Sequence, residues 1–447
     1  MAQVHRCPAI LVAAPASGQG KTTVTAGLAR LHARQGHKVR VFKCGPDFLD
    51  PGWHQLASGA PVYQLDLWMN GEADCRQRLH DAAGQADLIL VEGVMGLFDG
   101  TPSAAEMSRR LGLHVLAVVD AGAMVGTFGA LAYGLQHYEA QLPWAGVLAN
   151  RVAGSSHATM LQASLRTPKD WLGALMHEAA LALPERHLGL ALADEMPDAL
   201  QRLDAAADAL QATPLGQMDL AAWQRWNTVF EDAGSGIGPR VPPLLQGKTI
   251  AVARDTAFCF IYQANLDCLR ALGAQLCFFS PLADEGMPVC DAVWLPGGYP
   301  ELHAQRLANS RQSRDSLAAH IAAGRPVWAE CGGMIALFET LVATEGPAQP
   351  LWGLLPGQVS MHARLAALGP QQLSLPAGTL RGHTFHYSTT QTPLQSVLWT
   401  TRPNDGATEG ETVWKHGPVR ASYFHAWFPS APAAAASLFD GTGDLSS

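Results

Sequence analysis

Ser17-Gly18-Gln19-Gly20-Lys21-Thr22-Thr23 joins an apolar run, residues 9–14, to a helical pattern that starts at Lys21. Free N–H groups at a helix N-terminus, with the helix dipole behind them, stabilise an anion, and a phosphate is the natural occupant. Lys21 adds a full positive charge, and the Thr22 hydroxyl can ligate a Mg2+ carried by a nucleotide. The spacing follows G-x-x-x-x-G-K-[ST], with Pro15 in place of the first glycine. The same residues could form a solvated turn before an ordinary helix, but the strand before and the helix after meet the context that a nucleotide loop requires.

A second chemistry centres on Glu330-Cys331-Gly332-Gly333, where a strand, a sharp turn and a helix follow one another. A cysteine on such an elbow is pushed out of the sheet, and the helix beneath it is expected to lower the thiol pKa and raise the share of nucleophilic thiolate. Backbone N–H groups of Gly297, Gly298 and Gly332 are candidates for an oxyanion hole, where one lost donor costs on the order of 100-fold in rate. A general base must come from His383, His386 or His425, and spacing does not choose among them. The alternative is a buried cysteine in a glycine turn.

Carboxylates cluster after apolar strands. Asp47 and Asp50 lie on the loop 44–51, and Glu92 and Asp99 lie on the stretch 92–100. Such residues can hold Mg2+ beside phosphate oxygens, or can simply form turns. Asn150 also follows a strand, where it could read a nucleotide base or serve as a turn residue.

The elements that must position these groups are read from hydrophobic periodicity. Apolar runs at 9–14, 38–43, 86–91, 114–119, 144–149 and 188–192, with helical patterns at 125–138 and 157–165 between them, predict a parallel sheet covered on both faces. Residues 200–230 are Ala-rich, helical in period and poor in strand signals. The Gly/Pro-rich stretch that follows predicts a linker at 233–247 between domains 1–232 and 248–447. A second α/β pattern then begins, with strands at 249–253, 275–279 and 292–295 and a helix at 262–272.

With 447 residues, 48% of them hydrophobic, the chain can bury more than one core. Charged residues make up 15% and the net charge is −8, which gives no general attraction for nucleic acid or for an anionic membrane. The eight cysteines form no C-x-x-C pair and read as reduced thiols of a cytoplasmic protein. The segment 115–132 carries Asp120 and glycines, which suits a buried strand leading into a helix better than a bilayer span.

Taken together, Ala14-Pro15 through Thr22-Thr23, Phe42-Lys43-Cys44-Gly45-Pro46-Asp47-Phe48-Leu49-Asp50-Pro51, Leu65 to Met69, Glu92 to Gly100, Pro184 to Leu190, Pro296 to Glu301, Glu330 to Gly333, Arg381 to Ser388 and Tyr423-Phe424-His425 resemble the cobyrinic acid a,c-diamide synthase family. These are glutamine-dependent amidotransferases of cobalamin biosynthesis. The resemblance implies an α/β chain with an N-terminal P-loop NTPase-like parallel-sheet domain and a C-terminal domain of the class I glutamine amidotransferase type. It implies ATP bound by Ser17, Gly18, Gln19, Gly20, Lys21, Thr22, Thr23 and Asn150. Mg2+ would be held by Thr22, Asp47 and Glu92, and a corrinoid or related tetrapyrrole contacted by Asp47, Phe48, Leu49 and Asp99. In the second half it implies Cys331 as nucleophile toward L-glutamine and selects His425 as its base. A homodimer is a candidate assembly.

Three positions depart from the family pattern. Trp427 stands where many class I relatives carry a glutamate two residues after the histidine, so a dyad is expected and not a triad. Ala329 replaces the glycine before the elbow, and Phe48 replaces a frequent tyrosine. Cobyric acid synthase and a nickel-sirohydrochlorin a,c-diamide synthase are neighbouring readings. A regulatory P-loop ATPase with an inactive amidotransferase-like domain is a non-enzyme alternative, against which the retained Cys331 and His425 argue. The sequence does not choose between cobalt-containing and metal-free macrocycles.

Overall fold

A computed structural model describes residues 3–186, 189–234, 242–403 and 409–441. The chain divides into two compact units, Met1–Leu67 with Gly71–Ile237, and Trp68–Asn70 with Gly238–Ser447. Of the expected linker, residues 235–241 lie outside the described residues, as do His187 and Leu188.

The first unit is built on β1 (Val4–Ala13), α1 (Lys21–Arg34), β2 (Val39–Cys44), α2 (Asp50–Ser58), β3 (Tyr63–Leu65), β4 (Leu88–Glu92), β5 (His114–Asp120), β6 (Trp144–Val152) and β7 (Trp171–Met176). The strands stand in the order β3-β2-β4-β1-β5-β6-β7, all parallel. Alternation along the strands sorts their side chains to two faces. Ile10, Val12, Leu88, Leu90, Leu116 and Val118 join one buried cluster, which includes Val24, Leu28 and Leu31 of α1. Leu11, Ile89, Val91, Val115 and Val119 join another, which includes Leu79, Met107 and Phe128. Burying each Leu or Val side chain is worth about 1.5–3 kcal/mol, so a sheet covered on both faces is stabilised from both sides.

Residues 200–230 depart from expectation. A helix, α3 (Ala199–Gln211), opens the segment, but the segment ends in β8 (Asn227–Glu231), antiparallel to the first half of β1 with Val4 opposite Glu231 and Pro8 opposite Asn227. Five residues after an Ala-rich helix gave too little local signal. The strand forms because Val4–Pro8 offers backbone groups there and Phe230 reaches the core. The run expected at 188–192 contributes only Gly189–Leu190, bridged to Glu185–Arg186.

The second unit contains β9 (Thr249–Ala253), α4 (Gln263–Ala271), β10 (Gln275–Phe279), β11 (Ala292–Leu295), β12 (Val327–Glu330), α5 (Gly332–Ile335), β13 (Ala367–Leu375), β14 (Gly378–His386), β15 (Ser396–Thr401), β16 (Glu409–His416), β17 (Val419–Ser422) and β18 (His425–Trp427). One ten-stranded sheet runs β10-β9-β11-β12-β17-β16-β15-β13-β14-β18. It is parallel from β10 to β17 and antiparallel beyond. Its far end is the part the sequence did not predict, and it carries His383, His386 and His425.

Six of the eight cysteines are buried, and Cys259 and Cys277 are half-buried. Among the described residues no helix is long and apolar enough to cross a membrane.

Candidate active sites

β1 delivers the chain into the loop 14–20, and α1 starts at Lys21. Gly20 caps the helix with φ 97°, in the left-handed region, and a Cβ there would lie 2.3 Å from Asn150 Nδ2. Only glycine meets both demands. Ser17 and Gly18 are exposed. Gln19 is held from two strand ends: its side-chain oxygen accepts the Asp120 N–H at 2.8 Å, and its carbonyl accepts the Asn150 amide at 2.8 Å. Asn150 therefore braces the loop backbone.

Lys21 Nζ donates to the carbonyls of Met95 at 2.7 Å and Ala16 at 3.2 Å. Burial lowers its pKa, partly opposed by Glu92. The loop 93–100 is fixed against the phosphate loop by Leu97 N–H on the Ala14 carbonyl at 2.7 Å. Asp99 is exposed, and its Oδ2 accepts the Gly96 N–H at 2.9 Å.

Thr22 Oγ1 donates to Glu92 Oε1 at 2.8 Å. Around that carboxylate the structure gathers two residues to which the sequence assigned no role, Lys43 and His54, with Asp47 and Asp50 beside Lys43. Lys43 Nζ lies 3.0 Å from Glu92, 2.5 Å from Asp50 and 3.6 Å from Asp47, and His54 Nε2 bonds the other Glu92 oxygen. Burial alone would discharge Lys43, but Asp50, Glu92 and Asp47 more than reverse that and raise its pKa well above the usual value. Burial works against the Glu92 charge as well, and Lys43 and His54 overcome it, so its pKa is lowered. A lysine ending an apolar strand is the signal that could have found Lys43, since unpaired lysines are almost never buried. His54 lies four residues after Asp50 on one helix face.

Asp47 Oδ1 accepts the N–H groups of Leu49 and Asp50 at 2.8 and 3.2 Å, which shapes the turn carrying Phe48. Asp47 thus forms the turn, one of the two readings weighed for it. Thr22, Asp47 and Glu92 supply hydroxyl and carboxylate oxygens, the donors Mg2+ prefers, and that ion needs only one or two carboxylates beside phosphate oxygens. Among the described residues no three His, Cys, Asp or Glu side chains form a metal cage.

In the second unit Cys331 sits between β12 and α5 with φ 43° and ψ −107°. A non-glycine residue at positive φ is strained, and here it forms the elbow. The Cys331 N–H donates to the Ser422 carbonyl at 2.7 Å, tying the turn to β17. A Cβ on Gly332 would meet Gly298 N at 2.7 Å, and one on Gly297 would lie 2.4 Å from His425 Cε1. Close approach thus joins Gly332, next to Cys331 in the chain, to Gly298, and joins Gly297 to His425.

One expectation fails: burial, then the neighbouring Glu301, raise the Cys331 pKa. The helix is only four residues long, and its dipole does not offset desolvation. Burial, with His383 and His386 adding to it, lowers the His425 pKa well below the usual value. Both shifts favour the neutral forms of the thiol and the imidazole. Glu301 itself is pushed by burial to about 7.

His386 is engaged elsewhere. Its Nε2 lies 3.0 Å from Glu411 Oε1 and its ring stacks on Tyr423 at 3.7 Å.

A CobQ/CobB/MinD/ParA nucleotide binding domain matches residues 10–190, and a CobB/CobQ-like glutamine amidotransferase domain matches residues 249–433. A hydrogenobyrinate a,c-diamide synthase of Pseudomonas aeruginosa is 54% identical over 97% of this chain and 97% of its own length. The chain belongs to the a,c-diamide synthase family. Also in that family, a hydrogenobyrinate a,c-diamide synthase of Stutzerimonas stutzeri is 54% identical over 97% of this chain and 99% of its own. A cobyrinate a,c-diamide synthase of Herminiimonas arsenicoxydans is 50% identical over 96% of each. Like its family, the chain joins a nucleotide-binding domain to a glutamine amidotransferase domain and is a glutamine-dependent, amide-forming ligase.

In this synthase-family chain Glu330, beside Cys331, accepts from Trp328 Nε1 at 2.7 Å and from the Ala426 N–H at 3.3 Å, joining β12 to the strand of His425. Burial pushes its pKa from 4.5 to about 8. The folded state keeps a proton that the unfolded chain releases, so the stability this gives is complete below about pH 4.5 and is lost as pH rises through about 8. Urea midpoints of the full chain should fall more between pH 5 and pH 9 for the native protein than for Glu330→Gln. Parallel curves for the two would show that Glu330 ionises normally.

Proposed function

We propose that the chain converts the a and c carboxylates of hydrogenobyrinic or cobyrinic acid to amides, using ATP and the amide nitrogen of L-glutamine. The observation that supports this most directly is the strained Cys331 elbow, set against glycine N–H groups, in a chain that also carries a lysine phosphate loop.

A carboxylate is a poor acyl donor, so ATP first transfers its terminal phosphoryl group to the substrate carboxylate, giving an acyl phosphate and ADP. Lys21 exchanges its carbonyl partners for phosphate oxygens, and the loop N–H groups orient the chain of phosphates. Mg2+, held by Thr22, Asp47 and Glu92, would supply further neutralisation of phosphate charge. Asp47, Phe48, Leu49 and Asp99 contact the macrocycle on the neighbouring loops. Ammonia then attacks the acyl carbon and phosphate leaves.

The ammonia comes from glutamine. His425 takes the Cys331 proton as the sulfur attacks the amide carbon. Because burial favours the neutral thiol and the neutral imidazole, deprotonation is coupled to attack. N–H groups of Gly298, Gly297 and Gly332 receive the oxyanion. The proton passes from His425 to the departing ammonia, and water hydrolyses the thioester to glutamate.

Mass spectrometry after incubation of hydrogenobyrinic and cobyrinic acids with ATP, Mg2+ and glutamine tests the reading. Two successive amidations of at least one acid are expected, and their absence from both acids would refute it.

A further inference from the structure

Two residues after His425, where many class I relatives carry a glutamate, stands Trp427, which is fully buried. The Trp427 ring packs edge-on against Tyr262 at 5.1 Å. The orientation of the His425 ring matters because an imidazole turned about its side-chain bonds presents a different edge to its proton donor.

His383 is the side chain placed to do so. It lies directly opposite His425 in the antiparallel β14–β18 register. The two ring centroids are 5.0 Å apart and the ring planes only 15° from parallel, a stacked arrangement. Both are buried. Tyr262 Oη lies 3.3 Å from His383 Nδ1, so the supporting ring is itself anchored. The strand beneath is clamped by Asn265, whose amide donates to the Ala426 carbonyl at 2.8 Å and accepts the Phe428 N–H at 2.8 Å. Gly297 closes on the Cε1 edge of His425, and Phe260 stands 6.0 Å from its ring.

We infer that His383 is a positioning residue for glutamine hydrolysis, a ring platform that holds the His425 imidazole in its working orientation where other amidotransferases use a carboxylate. The inference rests on the reading of Cys331 and His425 as the hydrolytic pair. His383 makes no bond to glutamine, and its contribution is confined to the rate of the chemical step.

The full chain is assayed for glutamate release and for amide formation with ammonia as nitrogen source. His383→Ala should lower kcat for glutamate release by about 10- to 100-fold, the scale of a misplaced catalytic group, while KM for glutamine stays within about threefold and ammonia-driven amidation is kept. His383→Phe preserves a flat ring without a titrating nitrogen and should recover most of the lost kcat. An unchanged kcat in His383→Ala overturns the proposal, as does a rise in KM alone. If His383→Ala loses ammonia-driven activity as well, His383→Phe decides: recovery supports the platform, and a lost kcat with ammonia-driven activity intact overturns it. A native chain that releases no glutamate would sink the hydrolytic pair itself, which is a different failure.

Discussion

Replacing Cys331 with alanine is expected to abolish glutamine-dependent amidation, a loss of roughly 10^4-fold or more, while ammonia-dependent amidation stays close to native. The magnitude follows from removing the proposed covalent nucleophile. The selectivity follows from where the groups lie. Cys331, Gly297, Gly298 and His425 belong to the second compact unit, and Lys21, Thr22 and Glu92 to the first. The alanine Cβ occupies the space of the cysteine Cβ, so the elbow at φ 43° faces no new steric demand. Parallel assays with glutamine and with an ammonium salt, each quantifying the amidated macrocycle, check this. Equal loss with both nitrogen sources in a folded variant would mean that Cys331 acts in carboxylate activation as well.

Lys21→Ala gives the complementary result. Amidation should fall roughly 10^3-fold with either nitrogen source, because phosphoryl transfer depends on charge placed at the phosphates and little else is available to the protein. Hydrolysis of glutamine to glutamate should persist. Alanine also frees the Met95 carbonyl that Lys21 holds at 2.7 Å, so loop 93–100 is released along with the lost charge. Lys21→Met, which keeps most of the side-chain length, separates the two contributions. A Met variant as active as native would show that Lys21 serves only as a strut for that loop.

The two variants test opposite halves of one coupled reaction, and both target residues were legible in sequence. Lys21 and Thr22 stand at the start of a helix that follows an apolar run, and Cys331 stands at a turn between a strand and a glycine pair. In each case the chemistry is local: a helix N-terminus collects its own donors within one turn, and an elbow exposes its own side chain. Lys43, His54 and Glu330 were given no role in sequence for the opposite reason. Each acts through a partner far along the chain: Lys43 and His54 through Glu92, and Glu330 through Ala426. The base could not be chosen by spacing because β14 and β18 meet only when the sheet folds, and that pairing sets His383 against His425 and leaves His386 with Glu411. The Cys331 pKa was misread because a helix dipole is a property of a segment, while desolvation is a property of everything packed around it.

A phosphate loop, a cysteine elbow and two α/β patterns could be read along the chain, because strand period, glycine turns and helix starts are encoded within a few residues. Which carboxylates share Lys43, which histidine stands beside Gly297, and the burial that raises the Cys331 pKa emerge only on folding. Those outcomes depend on burial and on distances between residues that the chain order leaves far apart.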